Sequence, residues 1–207
     1  MRRIISGLYV IVDPGACHRR APLDVARAAL EGGAKIIQWR DKRRPPHEQL
    51  ADARAIVELC REHGAISIIN DDPDLAQASG ADGVHLGQDD AAIETVRPIV
   101  GDAMLIGVST NNADEARRAE AASADYVAIG AIFPTTSKEV TRAANLDRLR
   151  DVKSAVHAPV VAIGGINASN IASVVAAGAS AAAVISAVCA ADDPRAAAAE
   201  LVAAFHP

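Results

Sequence analysis

The stretch AISIINDDPDLAQASGADGVHLGQDD, residues 65–90, decides the fold. Two short β-rich runs, AISIIN (65–70) and GVHL (83–86), flank a segment in helical pattern that ends at Gly80, and polar residues follow each run directly. A strand, a helix and a second strand in so short a span make a crossover unit, which joins parallel neighbours. Asn70, Asp71 and Asp72 after the first strand, and Gln88, Asp89 and Asp90 after the second, would then emerge at the same end of the sheet. That is the end where open or closed parallel sheets build their sites.

The same alternation runs outward in both directions. LYVIV (8–12), AKIIQ (34–38), MLIGV (104–108), DYVAIG (125–130), PVVAIG (159–164) and AAAVIS (181–186) complete a set of eight runs. Helical patterns such as PLDVARAALEGG (22–33), HEQLADARAIVELCREHG (47–64), NADEARRAEAAS (112–123) and NASNIASVVAAGA (167–179) lie between them. Several close on glycine. The phrases GGAKIIQ, GADGVHL, SADYVAIG and GASAAAVIS share one pattern, a small residue that ends a helix before the next strand, while the lengths between them vary. Eight strand-helix units averaging about 25 residues predict a closed (β/α)8 barrel of the α/β class rather than a doubly wound sheet. With 207 residues, 50% of them apolar, the chain has material for one well-buried core, so residues 1–207 are read as a single domain. Only 2% of the residues are aromatic, so that core must be built from small and branched side chains.

Composition also narrows the partners. A formal charge of −5 gives no global attraction for nucleic acid or an anionic membrane, so an anionic ligand must be held by local groups. Cys17, Cys60 and Cys189 are odd in number, widely spaced and without a CxxC pair, which argues against a disulfide framework or structural zinc and for a reducing cytoplasm. The opening MRRIISGLYVIVD is read as a first strand, because its apolar run stops at Asp13 and no cleavage site follows. The apolar run at 173–191 is broken by Gly178 and serines, so no membrane span is expected.

On parallel strands the unusual polar residues should face one mouth. They are Asp13 after the first strand, Gln38, Arg40 and Lys42 at the end of the second, Asn70 and Asp71 after the third, and His85 with Asp90 at the fourth. Ser109, Thr110 and Asn111 follow the fifth, Phe133 to Lys138 the sixth, Gly164 to Asn167 the seventh, and Ile185 and Ser186 the eighth. The alternation Gln38, Arg40, Lys42 turns two cations and an amide to one side, although Lys42-Arg43-Arg44 is equally readable as a solvated basic turn. Asp71 and Asp90 are hard oxygen donors of the kind Mg2+ takes, whereas Asp72 and Asp89 are readable as helix caps. His85, in an apolar strand, reads first as a hydrogen-bonded structural residue. The glycine pair 164–165 offers backbone N–H groups to a phosphate at what is expected to be a helix start, or makes a plain tight turn.

This order of motifs resembles the thiamine phosphate synthase family from the first strand to the last. QWRDK matches its Q-x-R-x-K, IINDD its N-D, GVHLGQDD its G-V-H-L-G-Q-x-D, GVST its G-x-S-T and FPTTSK its F-P-T-x-[TS]-K. The resemblance implies a Mg2+-dependent transferase that joins a pyrimidine diphosphate to a thiazole phosphate and releases diphosphate. It implies that Gln38, Arg40, Lys42, Ser109 and Lys138 contact the pyrimidine diphosphate, with Arg40, Lys42, Lys138 and Ser109 carrying the chemistry, and that Asn70 meets the pyrimidine ring. Thr135, Ser137, Gly165, Ile185 and Ser186 would hold the thiazole phosphate, Asp71 and Asp90 the metal, and Arg43 and Arg44 would remain on the surface. A thiazole tautomerase of the same barrel ancestry needs a proton-moving histidine after the fifth strand, where this chain has Asn111, also a departure from the synthase pattern. A sugar-phosphate isomerase or epimerase barrel, or a non-catalytic barrel that binds the same intermediates, would share the phosphate site but not the need for Q-x-R-x-K beside two aspartates. Whether the chain forms a homo-oligomer stays open at this stage.

Overall fold

The structure, a computed structural model, describes residues 4–135 and 145–205. Eight strands form the barrel wall: β1 Gly7–Val12, β2 Ile36–Trp39, β3 Ile66–Asn70, β4 Gly83–Leu86, β5 Leu105–Thr110, β6 Tyr126–Ile129, β7 Val160–Ile163 and β8 Ala181–Val184. Around them lie α1 Pro22–Glu31, α2 Pro46–Glu62, α3 Pro73–Ser79, α4 Ile93–Val100, α5 Ala113–Ala121, α6 Leu146–Ala155, α7 Ile171–Ala176, α8 Ser186–Cys189 and α9 Pro194–Phe205. Each strand pairs in parallel with the next, and β8 pairs back onto β1 through Gly7 to Val10 and Ala181 to Val184, closing the barrel. The expected barrel is therefore the observed one. The eighth run stops two residues short of its expected end, because the backbone leaves extended geometry at Ile185 (ψ −84°) and Ser186 starts α8. Among the described residues, no helix is long and apolar enough to cross a membrane.

Alternation along each strand divides the core in two. Tyr9, Ile11, Ile36, Ile66, Ile68, Leu105, Tyr126, Ala128, Val161, Ala181 and Ala183 fill the barrel interior. Their neighbours Leu8, Val10, Val12, Ile37, Trp39, Ile69, Val84, Ile106 and Val127 face outward into the shell of helices. Both strand faces are buried, which is why the runs read as nearly continuous apolar sequence. The chain has two tyrosines, and both point into the interior, opposite alanines and Gly107.

The helix starts follow local chemistry. Proline stands at the first turn of α1, α2 and α3, where a missing N–H costs nothing. Asp72 caps α3 by accepting from the Leu75 N–H at 2.8 Å, and Asn112 and Asn145 cap α5 and α6 in the same way. The caps Asp72 and Asn112 hold the turns after β3 and β5 short, so Asp71 and Asn111 just before them stay at the rim.

Gly32, at the end of α1, has an ordinary helical φ, and its role is space. A Cβ there would lie 2.6 Å from the Arg195 carbonyl oxygen and 2.7 Å from Ala198 Cβ, on α9. Gly32→Ala is expected to prise α1 from α9 and lower stability by about 1–3 kcal/mol, the usual cost of overpacking. Urea denaturation followed by far-UV circular dichroism would measure it, and an unchanged midpoint would show that the two helices are free to separate.

Candidate functional site

The strand ends line one open cavity of about 1070 Å3. Arg40, Lys42, Asn70, Asp71, Asp90, Ser109, Thr135, Gly165, Ile185 and Ser186 all reach it, so most of the residues singled out in the sequence are brought together. Gln38 sits one layer deeper, 2% exposed, beside a small cavity of about 40 Å3 that it shares with Tyr9, His85, Tyr126 and Ser109. Ser137 and Lys138 lie outside the described residues.

The cations at the mouth are held by carboxylates. The Arg40 guanidinium pairs with Asp13, and the other Asp13 oxygen accepts from the Gly15 N–H at 2.8 Å. Asp13 thus fixes Arg40 from the neighbouring strand end, a role that its place after an apolar run only hinted at. Lys42 pairs with Asp71. Asp71 adopts a left-handed backbone (φ 64°), which swings its carboxylate over the rim, while its N–H donates to the His85 carbonyl at 2.8 Å. Asp90 accepts from the Gly87 N–H at 2.6 Å and stands next to Asp71.

Those two carboxyls titrate as a pair with opposite shifts. Burial would push Asp71 upward, but hydrogen bonds from Lys42 and Asp90, with the Lys42 charge, hold it below the ordinary range. Burial and then the hydrogen bond with Asp71 push Asp90 above that range, against the pull of the Gly87 N–H and Lys42. Two like charges crowded at one rim resist being ionised together. A bound cation would relieve that repulsion.

Below the rim a chain of hydrogen bonds crosses the barrel. Gln38 Nε2 donates to Tyr9 Oη at 2.7 Å, and Tyr9 Oη lies 3.2 Å from Tyr126 Oη. Tyr126 Oη lies 3.1 Å from His85 Nδ1, and His85 Nε2 lies 3.0 Å from Ser109 Oγ. Burial pushes both phenols up, so both stay protonated at neutral pH. His85 is hydrogen-bonded, as the sequence suggested, but through both ring nitrogens and in contact with a rim residue.

One expectation needs correcting, and two residues gain a role. The glycine pair does not open a helix, because α7 begins only at Ile171. Instead Asn170 Nδ2 bonds the Gly165 carbonyl at 2.9 Å and Asn167 Oδ1 accepts from the Ser169 N–H at 2.9 Å, folding the intervening turn. Gly165 has φ 64°, and a Cβ there would strike the Pro134 carbonyl at 2.6 Å, so only glycine lets the loop after β6 lie against it. Arg44 lies at the surface as expected, where it binds Asp41 and Asp52 at 2.6 Å each and lies over the Trp39 ring, bracing the loop that carries Lys42. Asn111 spends its side chain on Gln88 at 2.5 Å and its N–H on Glu115 at 2.7 Å, tying two rim loops together.

The family profile described as thiamine monophosphate synthase matches residues 8–188. A thiamine-phosphate synthase from Halorhodospira halophila is 48% identical over 201 residues, 96% of this chain and 94% of the relative. A thiamine biosynthesis bifunctional protein from Geobacter sulfurreducens is 42% identical over 98% of this chain, which spans 41% of that longer relative. The solved structure of a thiamine phosphate pyrophosphorylase from Pyrococcus furiosus is similar at a TM-score of 0.88 and 39% identity, over 96% of this chain and 95% of the other.

The crowded carboxyls give a stability test. A group whose folded pKa is raised favours the fold while protonated and loses that contribution as pH climbs through the raised value, so ionised Asp90 is a burden at neutral pH. Asp90→Asn is expected to raise Tm near pH 7 in chelator, with a gain that fades as pH falls and the wild-type carboxyl takes up its proton. Solvent screening at this exposed site limits the gain to about 2–4 °C at most, equivalent to roughly 1 kcal/mol. Thermal denaturation of both proteins across pH 3–8 would check it, and a variant less stable at pH 7 would contradict the shared-rim repulsion.

Proposed function

The chain belongs to the thiamine monophosphate synthase family, and we propose that its barrel mouth joins a 4-amino-2-methylpyrimidine carrying a diphosphooxymethyl arm to a 4-methyl-5-(2-phosphoethyl)thiazole, giving thiamine phosphate and diphosphate. The observation that carries this reading is the meeting of Arg40, Lys42 and Ser109 with the Asp71 and Asp90 carboxylates at one rim. Cations and paired hard-oxygen donors side by side suit a diphosphate and its metal, which favours this reading over a sugar-phosphate isomerase.

Asp71 and Asp90 fit Mg2+ by donor chemistry: both are carboxylates, they are near enough to share a proton, and one resists ionising without a counter-charge. They supply part of an oxygen shell, and diphosphate and water would complete it. Bound there, Mg2+ would neutralise charge on the departing diphosphate. Lys42, now paired with Asp71, is placed to turn to a diphosphate oxygen instead.

In the reaction the C–O bond between the exocyclic methylene and diphosphate breaks, the electron pair leaving with the diphosphate. The thiazole ring nitrogen supplies the pair that forms the new C–N bond. That nitrogen carries no proton, so no base is required, and the family resemblance points to a dissociative course through a pyrimidine cation. Arg40 faces the growing diphosphate charge in a position already set by Asp13, so little reorganisation is needed. Gln38 and Asn70 would orient the pyrimidine, and Ser109 and Lys138 would add diphosphate contacts. Thr135, Ser137, Gly165, Ile185 and Ser186 would hold the thiazole phosphate. Three free, buried cysteines support a reducing, cytoplasmic setting.

Incubating the protein with both substrates and following thiamine phosphate is the direct test. Turnover is expected with Mg2+ and is expected to vanish in excess chelator or in Asp71→Ala; full activity without a divalent ion would remove the metal from the scheme. Arg40→Ala is expected to lower kcat by an amount equivalent to about 2–4 kcal/mol while the KM for thiazole phosphate changes little, because the charge it meets grows in the transition state. Steady-state kinetics with each substrate varied in turn would read this, and a loss confined to the thiazole KM would exchange the two phosphate sites.

A further inference from the structure

The hydrogen-bond chain beneath the rim has a direction, and Tyr126 sets it. We infer that Tyr126 is a positioning residue that holds His85 in its neutral Nε2–H tautomer and thereby turns the Ser109 hydroxyl hydrogen out into the mouth.

The backbone fixes where this phenol lies. His85, Gly107 and Tyr126 are in register across β4, β5 and β6. A Cβ on Gly107 would fall 2.0 Å from Tyr126 Cζ, so the ring occupies the space that a side chain on β5 would take. Crossing over Gly107, it stacks against the His85 ring, with centroids 5.5 Å apart and planes at 26°. Its hydroxyl then meets both His85 Nδ1 and Tyr9 Oη.

Donor counting gives the direction. The Gln38 amide nitrogen can only donate, so Tyr9 Oη accepts from it and directs its own hydrogen to Tyr126 Oη. Tyr126 then spends its hydrogen on His85 Nδ1, which must be an unprotonated acceptor. The remaining proton of the neutral ring is on Nε2 and is donated to Ser109 Oγ. Both phenol hydrogens and the imidazole hydrogen are used, and the serine hydrogen is left to point into the cavity that Ser109 lines. In the opposite order Tyr9 would accept from both Gln38 and Tyr126, leaving a buried phenol hydrogen with no acceptor in the chain, a costly state in an interior. Ser109 therefore acts as a donor, and the substrate atom it meets must be an acceptor, such as a diphosphate oxygen. This deepens the proposed reaction and rests on it.

The test joins a spectroscopic signature to a double-mutant cycle on the full chain. Long-range 1H–15N correlation spectra of protein labelled with 15N-histidine, assigned with His85→Gln, are expected to show His85 as the Nε2–H tautomer at pH 7.5, and a mixture of tautomers in Tyr126→Phe. Tyr126→Phe is expected to lower kcat/KM for the pyrimidine diphosphate roughly tenfold, the worth of one oriented hydrogen bond, without altering the KM for thiazole phosphate. In a Ser109→Ala background the same substitution is expected to cost less than about twofold, because the two residues act through one contact. An Nδ1–H ring would mean that Gln38 presents its oxygen to Tyr9 and the chain runs backwards; that result, an imidazolium, or an equal cost of Tyr126→Phe in both backgrounds would overturn the proposal. If Tyr126→Phe does not fold, the wild-type spectrum decides alone. A wild-type protein that makes no thiamine phosphate would defeat the reaction assigned above and leave the tautomer result standing.

Discussion

The pairing of β8 with β1 is the constraint on which the rest of the molecule depends. A parallel strand cannot be joined to its neighbour by a tight turn, so each connection returns through a helix outside the sheet. Once the eighth strand closes on the first, no edge is left exposed and all eight C-terminal ends open at one rim. Arg40 and Ser186, 146 residues apart in the chain, then line a single cavity. The helices have only to cover the outward faces, and small residues such as Gly32 let α1 and α9 approach across the closure.

The rim is a set of charges that satisfy one another. Asp13 holds Arg40, Asp71 holds Lys42, and Asp41 with Asp52 holds Arg44. The pairs differ in exposure, and so in how readily they are exchanged. Arg40 and Asp13 are both mostly covered, which makes that pair a fixed feature, whereas the Lys42 side chain is 57% exposed and free to change partners. Asp71 and Asp90 are the discordant element, one carboxyl lowered and its neighbour raised. Groups with such opposed shifts cluster at functional sites.

Inside the barrel, polarity and packing meet at the two tyrosines. An interior made from isoleucine, valine and alanine has room for few rings, and Gly107 leaves the space that Tyr126 fills. The ring contributes apolar burial while its hydroxyl satisfies His85, so a polar chain runs through the core without leaving a buried side-chain donor or acceptor unmet among the described residues. A rigid, fully bonded floor is what allows Ser109 at the rim to keep one orientation.

The sequence by itself determined the alternation of strand and helix, the parallel sense, the rim position of QWRDK, NDD and QDD, and the family resemblance. These depend on periodicity, caps and glycine stops within some twenty residues, and local backbone energetics decide them. The bracing of Arg40 by Asp13, from the end of the neighbouring strand, was decided only by the tertiary structure. So was the meeting of Tyr9 and Tyr126, 117 residues apart, across a notch at Gly107. Each of these depends on the register between strands, which is set by how the whole interior packs; a strand displaced by one residue would turn Tyr126 into the helical shell and leave the same sequence without its floor.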